Sequence, residues 1–333
     1  MVGGIGRLAE AIAADMQARL PEQRKTQGGK LSLLVATMLR ERGANLMDLA
    51  AALPRPVELV ANRFQRIKRL LANERATSDA VMAPHGREVL ERLFASGQRI
   101  VLLIDQAQAT ARHRAVMVAV RVGGRALPLA WRVKQTRGAI GFAEQRQALK
   151  AVALLLPAGA KPVLMGDRFY GSPDLIAWAR AAGWDWRPRL KQDLLVFAAG
   201  GESTLAACLA AGDHVLRDVA LTAKRVRTNI AMVREPGHPE PWIIAMSEPP
   251  SLHRAFDCGL RWGIEAMFSD FKTRGFGLAD SRIRIAGRLD RLILVMALAL
   301  YWAVSTGMWD AARHPTPAEK KPRISDPATT RAA

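Results

Sequence analysis

Three acidic residues stand where converging carboxylates could do metal chemistry. The apolar run "RIVLLID" ends in Asp105, "KPVLMGD" ends in Asp167, and Glu265 lies inside "RWGIEAMFSDFK". If both runs are strands, each aspartate occupies a C-terminal strand end, the edge at which open α/β sheets place their sites. Carboxylates from three separate elements can hold two divalent ions about 4 Å apart, which aligns and polarises an in-line phosphodiester displacement. Thiols and single histidines suit that task poorly. Cys208 and Cys258 show no zinc-ligand spacing, and His113, His214 and His253 have no partner at a metal spacing. An acid at a strand end is common in α/β proteins, so neither aspartate is diagnostic alone.

The segment around Glu265 adds cations. At about 100° per residue on a helix, Arg261, Glu265 and Lys272 fall within about 40° of one another, beside a face made of Ile264, Met267, Phe268 and Phe271. Two readings follow. Arg261 and Glu265 are an ordinary i,i+4 ion pair worth a few tenths of a kcal/mol, or the stripe meets an anionic substrate and the cations that accompany it.

The elements that must position these residues change character along the chain. Up to about residue 95 the pattern is helical: "LSLLVATMLRER", the turn "GAN", "LMDLAAALP" and "VELVANRFQRIKRLLAN". In the last of these Val57, Val60, Phe64, Ile67 and Leu71 build one apolar face, leaving Arg63, Arg66 and Arg69 on others. Three short helices ending in a basic one suit a helix-turn-helix-like DNA-binding module; a helical bundle with a solvated basic face fits equally. From Ile100 the order is strand, hairpin around Gly123-Gly124, helix, strand, then a helix capped by Ser172, started by Pro173 and closed by Gly183. That order predicts a mixed α/β sheet. Residues 193–249 alternate and turn at "EPGHPEPW", as a β-rich insertion would, and 251–312 read as helical again. The Pro-rich, charged tail 313–333 is expected to be disordered.

Composition narrows the partner. With 49 Lys and Arg against 30 Asp and Glu the formal net charge is +19, which favours a polyanion, either nucleic acid or an acidic membrane surface. Half the residues are hydrophobic, excluding wholesale disorder. The longest apolar run, Leu292 to Val304, has 13 residues against the roughly 20 needed to span a bilayer, so a buried helix is expected. No signal-peptide core is apparent, and two cysteines make no disulfide framework; a cytoplasmic protein without a membrane partner is the expectation.

These segments together resemble the bacterial insertion-sequence transposases of the DDE type, specifically the fourth insertion-sequence family, whose last acid lies in a Tyr-x2-Arg-x3-Glu-x6-Lys signature. Arg261, Glu265 and Lys272 match that spacing, and Cys258 stands at the tyrosine position. "LLIDQ", "GRALPLAW" and "GDRFYGSPDL" are similar to the family's segments about the first two acids, and "NLMDLAAALP" with "NRFQRIKRLLAN" to its DNA-binding region, so the likeness runs over roughly residues 25 to 305. It implies a ribonuclease-H-like catalytic domain over 96–192 and 250–312, interrupted by the β-rich insertion 193–249 and preceded by an all-α DNA-binding domain over 1–95. It further implies that Asp105, Asp167 and Glu265 bind two Mg²⁺ ions, with Mn²⁺ substituting, and that Arg261, Lys272 and Arg168 contact DNA phosphates. Arg63, Arg66 and Arg69 would bind DNA from the N-terminal domain. The implied activity is cut-and-paste transposition by a homodimer on paired terminal inverted repeats, with target DNA as second substrate. The family's tyrosine helps hold phosphate during hairpin formation, a role a thiol fills poorly. Two other readings share the residues: a transposase-derived DNA-binding protein that no longer cuts, and a metal-dependent nuclease without strand transfer.

Overall fold

The computed structural model describes residues 2–22, 24–55, 58–75, 77–198, 201–234, 240–272 and 274–315. Its first 95 residues form five helices: α1 (Val2–Arg19), α2 (Lys25–Glu41), α3 (Leu46–Ala52), α4 (Val60–Leu71) and α5 (Ser78–Ala95). Asn45 starts α3, its side-chain oxygen accepting from the Met47 N–H at 2.9 Å, which satisfies one of the donors a helix start leaves unpaired. The apolar face foreseen for α4 is turned inward: Ile67 and Leu71 are buried and Phe64 packs against the core. Val57, expected to extend that face, lies outside the described residues.

The chain then enters a five-stranded sheet through β1 (Val101–Gln108), β2 (His113–Val122) and β3 (Arg125–Gln135). Gly123, at φ 58°, supplies the left-handed turn between β2 and β3 that side chains resist. Helix α6 (Phe142–Ala153) returns the chain to β4 (Val163–Gly166), and α7 (Pro173–Ala181) carries it to β5 (Asp185–Trp186). The spatial order is β3-β2-β1-β4-β5, with β1 antiparallel to β2 but parallel to β4, and β4 parallel to β5. The fold class is therefore mixed α/β, as the element order predicts.

One expectation needs correction. The strand that carries Asp105 does not end there; β1 continues to Gln108, because β2 pairs with it as far as Gln108 opposite Arg114. What ends is the parallel ladder. Residues 101–104 pair in order with 163–166, so Asp105 and Asp167 occupy the next position on each of two neighbouring strands.

A second five-stranded sheet, antiparallel, is built from β6 (Leu195–Ala198), β7 (Gly201–Thr204), β8 (Val215–Leu221), β9 (Val226–Val233) and β10 (Trp242–Met246), with helix α8 (Leu205–Ala210) between β7 and β8. Most of the predicted Pro-rich turn, residues 235–239, lies outside the described residues. The two sheets are joined by backbone: Leu190 N–H donates to Ile243, Ala245 N–H to Pro188 and Ser247 N–H to Trp186. Trp184 and Trp186 are buried in this join, edge-on to Trp178 and donating to Thr228 respectively, so they are core residues rather than exposed stacking surfaces.

Beyond α9 (Leu252–Ala255) a 3₁₀ turn, Phe256–Arg261, leads into α10 (Trp262–Phe271). Ile264, Met267, Phe268 and Phe271 are all buried, and α10 packs on β1, β2 and β3. The last helix, α11 (Ala286–Arg313), is long and apolar enough by length and composition to cross a bilayer; more than half of its most apolar window is buried, with Leu292 through Tyr301 fully inside. It extends beyond the 13-residue run at both ends and lies against β3 and α2. Three residues of the expected disordered tail, 313–315, are described, Arg313 ending α11; residues 316–333 lie outside.

This orientation of α10 is testable by chemical unfolding. Phe271→Ala should cost about 3–5 kcal/mol through the cavity it leaves, whereas Glu265→Gln on the exposed side should change stability by less than about 0.5 kcal/mol. Equal losses would contradict the assignment of faces.

Candidate active site

Asp105 and Asp167 are brought to one edge by the parallel register and are each fixed by local backbone. One Asp105 carboxylate oxygen accepts from the Gln106 N–H at 2.7 Å. Asp167 closes a turn, its side chain accepting from the Phe169 N–H at 2.8 Å and its carbonyl from the Tyr170 N–H at 2.9 Å. Two glycines make room for that turn. A Cβ on Gly166 would stand 2.7 Å from the Cβ of Tyr170, and one on Gly171 would stand 2.0 Å from the carbonyl oxygen of Arg189, closer than real carbons approach.

Glu265 enters from α10. Arg261, at the start of that helix, spans the gap: one guanidinium nitrogen lies 3.4 Å from Asp105 and another 2.9 Å from Glu265. The ion-pair reading of the stripe is the one realised. Arg261 and Glu265 form the i,i+4 pair, and the same arginine reaches the first acid on the sheet. The 3₁₀ turn before Arg261 is anchored by Arg187, a nearly fully buried cation that bonds both Asp257 and Glu248. Nothing in the periodicity marks Arg187, which reads as one more strand-end arginine.

The electrostatics show incomplete neutralisation. The Asp105 carboxyl is pushed up to about 6, first by burial and then by the charge of Asp167, against the opposing pull of the Gln106 N–H and Arg261. Glu265 adds to the rise. Nothing in the sequence marks Tyr170: its ring is buried, its hydroxyl has no hydrogen-bond partner among the described residues, and burial with the charges of Asp105 and Asp167 drives its ionisation well above the usual range. The donors at the site are carboxylate oxygens, which suit Mg²⁺ or Mn²⁺ rather than softer metals. Their unbalanced charge suits a cation. Among the described residues no group of three His, Cys, Asp or Glu side chains stands around a common ion position.

The other predicted contacts fare unevenly. Lys272 follows the last residue of α10, half-buried, and its ammonium makes no ion pair among the described residues. Arg168 is not a free cation: it holds Glu240 at 2.6 and 2.8 Å, beside Arg189 on the same carboxylate. Arg63 is engaged as well. Its guanidinium donates to the carbonyls of Ala51, Leu53 and Glu58 at 2.9–3.0 Å, closing the C-terminal end of α3, where helix carbonyls lack partners of their own. Arg66 pairs with Glu58, and Arg69 is exposed without a partner among the described residues, at the rim of a cleft of about 430 Å³ with Lys30 and Arg55. In the basic run 223–229, Lys224 pairs with Asp174 and Arg227 with Asp218, while Arg225 covers the Phe197 ring at 3.5 Å. Cys258 lies in the 3₁₀ turn, and its side chain lies outside the described residues. No protein-family model matches the chain, and no curated protein matches it.

The raised Asp105 pKa has a stability consequence of definite sign. A carboxyl near 6 in the folded state and near 4 unfolded favours folding while protonated; that advantage is whole below about pH 4 and lost as pH rises through 6. At pH 7.5, without divalent ions, Asp105→Asn should therefore be more stable than the parent by on the order of 2–3 kcal/mol, with the difference shrinking at pH 4. Thermal unfolding at the two pH values checks this, and an equally destabilised variant at both would contradict it.

Proposed function

We propose that the protein is a DDE-type DNA transposase whose first sheet, with α10, is a ribonuclease-H-like catalytic layer. The observation that carries this reading is the meeting of Asp105 and Asp167, at matched positions on adjacent parallel strands, with Glu265 delivered by a packed helix and bridged to Asp105 through Arg261. The strand order, in which three antiparallel strands continue into two parallel ones, agrees with it. So does the net charge of +19. On this reading residues 1–95 bind the terminal inverted repeats, 96–192 and 250–312 cut and join, 193–249 form the insertion, and two copies assemble on paired ends in the cytoplasm.

The chain's own residues have separable tasks. Asp105 and Asp167 are held in place by backbone N–H groups of Gln106 and Phe169, so their oxygens face the edge with little freedom. Glu265 is mostly exposed and joined to the helix by a flexible stem, so it turns toward the aspartates when Arg261 lets go. Released, Arg261 is placed beside the acids to meet a phosphate, with Lys272 one helix length further on. Asp105, Asp167 and Glu265 would hold divalent ions, which when bound would polarise a water or 3′-hydroxyl and offset charge on the leaving oxygen.

The grip of Arg261 on two of the acids favours one alternative, a DNA-binding relative that does not cut. A labelled duplex ending in the element's terminal repeat separates the two. With Mg²⁺ or Mn²⁺ the protein should nick at the repeat boundary; EDTA should abolish nicking, and Glu265→Gln should reduce it at least about 100-fold while binding the duplex within about threefold of the parent. Tight binding with no cut under either metal would establish the non-cleaving protein. Joining of the cut end to a second duplex excludes a simple nuclease.

A further inference from the structure

A second concavity lies apart from the acids, where α3 and α4 face the segment leading into α11. It encloses about 440 Å³, and its walls include Lys68 from α4 and Arg282, Arg284 and Arg288 from the far end of the chain. These four cations differ from most others named so far. Arg168, Arg227, Lys224, Arg66 and Arg187 each face a carboxylate, whereas none of Lys68, Arg282, Arg284 and Arg288 has an ion pair among the described residues; Lys68 lies 5.5 Å from the centre of the Phe64 ring.

The backbone holds them in one place. Gly277 and Arg282, at φ 61° and 53°, bracket a 3₁₀ turn with left-handed residues, a conformation that is uncommon for arginine. From there the chain runs with Ile283 buried and Arg282 and Arg284 exposed on either side of it, before α11 begins. Ile283 fastens the segment to the core while the arginines face solvent. Four like charges gathered in a concavity whose wall carries the single acid Asp280 leave a net positive charge and repel one another, and a polyanion is what relieves that repulsion. Asp280, the acid in the same wall, is also without an ion pair among the described residues.

We propose that this cleft grips the phosphate backbone of duplex DNA, so that one stretch of backbone is held by the N-terminal helices and by the segment after α10 together. The inference rests on the reading of the chain as a DNA-acting protein, and it moves the principal contact away from Arg63 and Arg66, which are engaged internally.

The test is the salt dependence of binding. Parent protein and Arg282→Ala/Arg284→Ala/Arg288→Ala would be titrated with a fluorescent 30-base-pair duplex from 50 to 300 mM NaCl. Each phosphate contact contributes about 0.9 to the slope of log K against log salt, so the triple variant should be shallower by about 2 to 3 and weaker at 50 mM by at least about tenfold. The corresponding triple lysine variant should recover the parental slope, showing that charge and not folding was lost. An unchanged slope in the alanine variant, with parental affinity, would overturn the cleft as a DNA contact while leaving the DNA reading intact. A parent protein that binds no duplex would overturn both. Polyglutamate that binds the parent with the steep slope, when DNA does not, would assign the cleft to an acidic protein instead.

Discussion

Two carboxylates at one sheet edge, Asp105 within β1 and Asp167 just past the end of β4, raise each other's energy unless a proton or a cation offsets the charge. The register that aligns residues 101–104 with 163–166 brings Asp105 and Asp167 to the same edge, and Arg261 partly offsets the charge of Asp105. Much of the surrounding structure serves that balance. Phe271, Phe268 and Ile264 bury α10 against the sheet so that Arg261, just before its first residue, reaches Asp105, and Arg187 anchors the 3₁₀ turn that ends in Arg261. Gly166 and Gly171 let the Asp167 turn lie flat against Tyr170 and Arg189. The Asp105 carboxyl still sits near 6, so one arginine at 3.4 Å does not complete the neutralisation. A site with a standing deficit of positive charge and oxygen donors is chemically prepared for divalent cations.

The excess of basic residues is spread unevenly in its use. Several arginines that the sequence offers as DNA contacts are engaged by the protein itself, by helix-end carbonyls in the case of Arg63 and by Glu58 and Glu240 for Arg66 and Arg168. Exposed pairs of this kind contribute little to stability, but they remove the residue from the pool that a polyanion can use without first breaking a bond. Lys68, Arg69, Arg282, Arg284 and Arg288 make no such bond among the described residues. Net charge therefore says little about any one arginine, and pairing decides which cations are left unengaged among the described residues.

Local pattern made much of the frame legible. The hairpin at Gly123, the Ser172 cap with its 3.2 Å bond to the Leu175 N–H, and the buried face of α10 follow from turn chemistry and periodicity. Asp105 and Asp167 stand out in the sequence because each closes an apolar run, and Glu265 because it shares a helical stripe with Arg261 and Lys272. What escaped was set by distant neighbours. β1 outruns Asp105 because β2 pairs with it to Gln108, which no local pattern records. Arg63 folds back onto the end of α3, where the Ala51 and Leu53 carbonyls accept from its guanidinium. Tyr170 reads as an ordinary turn aromatic until the sheet places it beside two carboxylates. The cleft of Lys68 and Arg284 joins residues more than two hundred positions apart, a proximity only the fold creates.

The most direct test of this account is to locate Mn²⁺ by anomalous scattering in crystals of the protein grown with millimolar MnCl₂. The account predicts Mn²⁺ bound directly by Asp105 and Asp167, at about 2.0–2.3 Å from their oxygens, with Arg261 withdrawn from Asp105 and Glu265 turned inward. Crystals in which Arg261 still bridges Asp105 and Glu265, with no manganese between the two aspartates, would contradict it.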